Sequence, residues 1–127
     1  MTSFFIFSPM DLEAFRAYCF TLPAVTEGMP FGDEVLVFKV GGKIFALADI
    51  DIFASVNLKC DPERTIDLRE RYPAIIPGYH MNKVHWNTLN MDGTIPDKLI
   101  LELARHSYEL IARSLSKKHR AEYGLKN

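Results

Sequence analysis

Two β-favouring runs, Val35-Leu-Val-Phe-Lys-Val40 and Lys43-Ile-Phe-Ala-Leu-Ala48, are separated only by Gly41-Gly42. A two-residue loop reverses a chain only when its residues take positive φ, which glycine does without a steric cost. The spacing therefore predicts an antiparallel hairpin. A third run alternates, with Ile52, Ala54, Val56 and Leu58 on one parity and Phe53, Ser55, Asn57 and Lys59 on the other. Such period-2 patterning predicts a strand with one apolar face. Val84 to Leu89 predicts a fourth strand. Gly41-Gly42-Lys43 lacks the rest of the phosphate-loop pattern and is read as turn chemistry alone.

Helical spacing surrounds these strands. Leu12, Phe15, Cys19 and Leu22 recur at helical intervals behind Ser8-Pro9-Met10-Asp11, where Ser8 caps, Pro9 takes the first position and Asp11 completes a capping box. Pro23 closes this helix, and Thr26–Asp33, with two Gly and one Pro, reads as a loop. Asp61-Pro62 opens a second helix that runs through Leu68 to about Tyr72. Residues 73–79 read as an irregular connection, and Asp92-Gly93 as a turn. Pro96 starts the longest helix, with Leu99, Leu103, Leu110 and Ile111 as its apolar stripe, ending near Leu115. Strands flanked by helices in this order predict an α+β domain of two layers, an antiparallel sheet with helices packed on one face.

At 127 residues the chain suits one domain, read as residues 10–120 with an extension at 1–9 and a tail at 121–127. Met10 is an alternative start. With 48% hydrophobic residues and nine Phe the chain is neither disordered nor a coiled coil. No apolar run approaches the ~20 residues of a membrane span. Phe4–Phe7 is too short for a signal peptide and follows no basic segment. Cys19 and Cys60 form no C-x-x-C pair and read as reduced, buried thiols of a cytoplasmic protein.

The formal net charge is -1, which argues against a globally basic nucleic-acid binder. The charge is uneven, however. Residues 105–127 carry six Lys/Arg against Glu109 and Glu122, a net of +4, leaving -5 for residues 1–104. This basic stretch suits either phosphate contact or a solvated helix end.

The densest polar chemistry lies in Gly78-Tyr-His-Met-Asn-Lys-Val-His-Trp-Asn-Thr88, which holds Tyr79, His80, Asn82, Lys83, His85, Trp86 and Asn87 and no carboxylate. A donor-rich aromatic patch suits a phosphate, a nucleobase or a small anion, and equally a buried hydrogen-bond network. His80 and His85 are five apart, which puts them on opposite faces of a strand, so no metal site is assigned. No nucleophile elbow or Cys–His motif occurs. Asp49 and Asp51 read as turn chemistry. A non-catalytic protein without a cofactor is expected.

A set of segments resembles the MmcQ/YjbR family of small bacterial proteins over about residues 11–120. They are Leu22-Pro23-Ala-Val-Thr-Glu27, Pro30-Phe31-Gly32, Val37-Phe-Lys-Val-Gly-Gly-Lys43, Val56-Asn-Leu-Lys-Cys-Asp-Pro62, Leu68-Arg-Glu-Arg-Tyr-Pro73, Pro77-Gly-Tyr-His-Met-Asn-Lys83, His85-Trp-Asn-Thr88 and Ser107-Tyr108. The resemblance implies a CyaY-like fold and a role in DNA binding through a "double wing" arrangement. On that reading the hairpin at Gly41-Gly42 acts as a wing, Lys39, Lys43, Lys83, Lys117, Lys118 and Arg120 meet phosphates, and His85, Trp86 or Asn87 contact bases. Two alternatives stay open. One is a small-molecule or anion pocket built from Tyr79–Thr88 and the loop Glu27–Asp33. The other is a protein-interaction adaptor using the apolar Phe4–Phe7 segment.

Overall fold

A computed structural model describes residues 10–78 and 81–125. In chain order the elements are α1 (Leu12–Cys19), β1 (Val25–Gly28), β2 (Val35–Val40), β3 (Lys43–Asp49), β4 (Ser55–Lys59), α2 (Pro62–Arg71), β5 (Ile75–Pro77), β6 (Trp86–Asn90), α3 (Asp97–Ser114) and α4 (Lys117–Glu122). The strands form one six-stranded sheet in the order β1-β2-β3-β4-β6-β5, and every neighbouring pair is antiparallel.

The β2–β3 hairpin forms as its sequence predicts, with Gly41 at φ 57° and Gly42 at φ 81°. A Cβ on Gly41 would lie 2.5 Å from Leu115 Cδ1, so the Leu115 side chain at the end of α3 packs directly on the turn. The β2–β3 register shifts between Phe38 and Lys39. On the helix-covered face, Phe38, Phe45, Ala46, Ala48, Val56, Leu58 and Leu89 belong to the buried core together with Phe15 and Cys19 of α1 and Leu68 of α2. Ile100, Leu103, Ala104, Tyr108 and Ile111 close the core from α3. Aromatic edges interlock here: Phe45 meets Tyr108 at 90° with centroids 5.5 Å apart.

Several boundaries differ from the sequence reading. Asp11 is the N-cap of α1, its side chain accepting from the Ala14 N–H at 2.8 Å, while Ser8 and Pro9 lie outside the described residues. The helix stops at Cys19 rather than at Pro23. Pro23 disfavours helical backbone at Leu22, and the Thr21 and Leu22 amides turn back onto the Tyr18 and Cys19 carbonyls. Thr26–Gly28, read as loop, belongs to edge strand β1, which pairs Val25 with Val40 and Gly28 with Val37. An edge strand needs one partner only, so its weak intrinsic preference suffices.

Residues 75–77 likewise form strand β5 on the opposite edge, where the missing N–H of Pro77 breaks no ladder. The β4 pattern begins at Ser55, because Phe53 takes φ 51° and reverses parity. Phe53 is thereby buried and Ile52 left 77% exposed. The basic run is a separate helix α4, capped by Ser116, whose hydroxyl accepts from His119 N–H at 3.1 Å.

Candidate functional site

The polar block at residues 78–88 is built around an arginine that the sequence reading did not single out. Arg69 of α2 donates from Nε to Asn87 Oδ1 at 2.8 Å and from Nη2 to the Lys83 and Trp86 carbonyls at 2.6 and 3.3 Å. Asn87 is 2% exposed and donates to Thr65 Oγ1 at 3.1 Å. Both ends of its amide are occupied, which removes Asn87 from the residues able to touch a base or a ligand. Asn82 closes the turn before β6, its Oδ1 accepting from the Val84 N–H at 2.9 Å and the His85 N–H at 3.3 Å. Gly78 donates to the Trp86 carbonyl at 2.8 Å. Lys83 is exposed, its Nζ 3.4 Å from the Gly78 carbonyl. His85 is exposed and Trp86 half-buried. Tyr79 and His80 lie outside the described residues.

Among the described residues, the other face of the sheet carries no helix. A hollow of about 710 Å³ lies there over Val35, Ile44, Leu47, Asn57, Thr88 and Asn90. Phe31 and Met81 also line it, from the β1–β2 and β5–β6 loops at opposite edges of the sheet. Thr88 donates its hydroxyl to Asn57 Oδ1 across β4 and β6. Asp49 also borders the hollow, but its carboxylate accepts the Ala54 N–H at 2.8 Å and the Asp51 N–H at 3.4 Å. Phe31 comes from the Glu27–Asp33 loop and Met81 and Thr88 from the Tyr79–Thr88 block, the two segments named in the sequence-derived pocket. The floor residues were missed there, although their signal was present: β2 and β3 are apolar on both parities, more than a solvated face needs.

The strand register also sorts the charges. The β2–β3 turn, the end of β4 and the start of β6 lie at one end of the sheet, since Val40 pairs with Lys43 and Lys59 with Trp86. Lys43, Lys59 and Lys83 sit at that end. The contact of Leu115 with the Gly41 turn, and of Tyr123 with Gly42, brings Lys117, Lys118 and Arg120 of α4 to it as well. Asp61, Glu63 and Glu122 lie there too. The opposite end, marked by the pairs Val35–Asp49 and Ser55–Asn90, gathers Asp33, Glu34, Asp49, Asp51, Asp92 and Asp97. Lys39, one register pair back from the turn, points to the open face opposite Ile44. The cations predicted from sequence thus share one end of the sheet but not one face: β4 and β6 separate the Lys43 strand from the Lys83 loop. Arg120 is only half exposed and its Nε is buried, unlike the exposed Lys117 and Lys118.

The model of the YjbR family matches residues 20–110. This chain belongs to the YjbR family. It is 38% identical to Escherichia coli O157:H7 YbdF over 107 residues, covering 84% of this chain and 88% of that protein. It is 29% identical to YjbR of Escherichia coli K12 over 112 residues, covering 87% and 95%. Among solved structures, Deinococcus radiodurans DR2400 superposes with a TM-score of 0.87 at 44% identity, covering 94% and 93% of the two chains. A Pseudomonas syringae protein does so with a TM-score of 0.67 at 28% identity, covering 80% and 99%.

Many residues that carry the YjbR resemblance have structural partners here. Tyr108 donates to the Pro23 carbonyl at 2.6 Å, tying α3 to the turn before β1. Ser107 is fully buried and bonded to two strands. Cys19 and Cys60 are both free and buried. Burial pushes the Cys19 thiol up to about 12 and also raises Cys60, so both stay protonated and unreactive at neutral pH. Among the described residues no three His, Cys, Asp or Glu side chains converge on a metal position, and no helix is long and apolar enough to cross a membrane.

Proposed function

We propose that this YjbR-family chain is a non-catalytic nucleic-acid-binding module that holds duplex DNA phosphates at the basic end of its sheet. The observation that carries this is the separation of charge along the strand axis, which a net charge of -1 conceals. Lys43 at the hairpin tip and Lys117 and Lys118 on α4 are exposed, and Leu115, just before α4, packs against the Gly41 turn. Phosphate attraction of this kind is sequence-independent and weakens with salt. Asn87 offers no base contact, which agrees with that mode. Fluorescence anisotropy of a labelled duplex at about 50 and 200 mM salt tests it, in the range where counterion release dominates. Binding that collapses with salt supports the reading. No binding at the lower salt overturns it.

The hollow on the open sheet face favours a second reading, a small, largely apolar and uncharged ligand. Its volume falls within the range of small-molecule pockets, and its one carboxylate is already engaged. Nile red fluorescence that rises on the native protein and is lost in Leu47→Lys supports it. A dimer by light scattering that Leu47→Lys dissolves would assign the face to a second copy instead.

A further inference from the structure

A separate cleft of about 420 Å³ lies between α3, α4 and the turn before β1. Pro23, Ala112 and Leu125 give it apolar walls, and Arg113 and Arg120 also line it. The Arg120 Nε is buried and has no hydrogen-bond partner among the described residues. A buried charged donor left unpaired is costly, so the Arg120 guanidinium as a whole gains from an anion held beside it in the cleft. Nor does Arg113 pair with a carboxylate among the described residues. Tyr108 supplies wall but no free donor, since its hydroxyl is committed to the Pro23 carbonyl at 2.6 Å.

Glu109 also faces the cleft, and its carboxylate lies 3.5 Å from Arg105 one helical turn back. With Glu109 paired to Arg105, Arg113 and Arg120 have no counter-charge among the described residues, so the cleft suits an anion. We infer that this cleft binds a small organic monocarboxylate, its carboxylate on Arg120 and Arg113 and its apolar body against Pro23, Ala112 and Leu125. A carboxylate matches the planar donor fork of arginine. The cleft uses Arg113 and Arg120 rather than the exposed Lys117 and Lys118.

Calorimetric titration of the full chain with benzoate and hexanoate, at constant ionic strength, tests this, with benzyl alcohol and hexanol as neutral counterparts. Binding by either carboxylate, with the matching alcohol much weaker, is expected. Arg120→Gln should weaken carboxylate binding at least about ten-fold, the scale of one charge-assisted hydrogen bond. Ala112→Phe, which fills the cleft and leaves both arginines in place, should abolish binding while the melting temperature shows the fold retained. Binding of neither carboxylate overturns the inference, as do alcohols binding as tightly as the acids or an unchanged affinity in Arg120→Gln.

Discussion

The Ser107 hydroxyl of α3 donates to the Phe45 carbonyl of β3 at 2.6 Å, across 62 residues of sequence, and accepts the Lys59 N–H of β4 at 2.9 Å. The regular β3–β4 pairing stops at Ala46–Leu58, and the shifted β2–β3 register leaves Phe45 as an extra residue. Ser107 supplies the partners that the splayed ladder no longer provides. Ser107→Ala strands one buried donor and one buried acceptor and should cost about 1–3 kcal/mol of stability. Urea denaturation reads this directly, and an unshifted midpoint would count against the bridge.

Arg69 should be equally hard to replace. Its fork reaches Asn87, Lys83 and Trp86 together, which an ammonium on a flexible stem does not do. Arg69→Lys should destabilise by about 1–3 kcal/mol and shift the emission of Trp86, the single tryptophan. Wild-type stability and emission in Arg69→Lys would show that the clamp contributes little.

Glycines separate by what surrounds them. A Cβ on Gly78 would lie 2.9 Å from both Trp86 Cβ and the Trp86 carbonyl oxygen, whereas one on Gly28 meets nothing within 4 Å. Gly78→Ala should therefore cost about 1–3 kcal/mol through overpacking. Gly28→Ala should be neutral or slightly stabilising, since it restricts only the unfolded chain. Thermal melts of the two variants side by side decide the matter.

His106 makes stability depend on pH. Its Nε2 accepts the Asp61 N–H at 3.1 Å, so the ring is neutral in the fold. Burial first, then the Arg64 charge, hold its pKa below the ordinary value, against the opposing pull of Asp61 and Glu109. The unfolded chain binds this proton more readily, so the contribution is complete above the unfolded value near 6.5. It falls as pH drops through that value towards the depressed one. His106→Gln, which keeps an acceptor without titrating, should flatten the slope of denaturation midpoint against pH between about 7.5 and 5.5. An unchanged slope would assign the pH dependence to other groups.

DNA affinity should respond to position at the basic end. Lys43→Ala and Lys118→Ala should each lower affinity uniformly across sequences and reduce the salt slope by about one. Asn87→Ala should act on stability alone. A sequence-selective loss in either lysine variant would contradict a pure phosphate contact.

The sequence by itself determined the local pieces. Gly41-Gly42 dictated the hairpin, Asp61-Pro62 the start of α2, and the apolar spacing of residues 100–111 the long helix. In each, the cause lies within a few residues: a turn that demands positive φ, a cap, or a helical period. Edge strands β1 and β5 were not legible, because segments of four and three residues ending in Gly28 and Pro77 form strands only when a neighbour offers its backbone. The site residues divide in the same way. Lys117 and Lys118 could be named from a run of charge, but their meeting with Lys43 depends on the end of α3 reaching the hairpin. The fate of Asn87, the bridge at Ser107 and the Arg120 Nε, unpaired among the described residues, were decided only by the tertiary structure. A hydrogen-bond partner 18 or 62 residues away leaves no local signal, and only packing brings it within 3 Å.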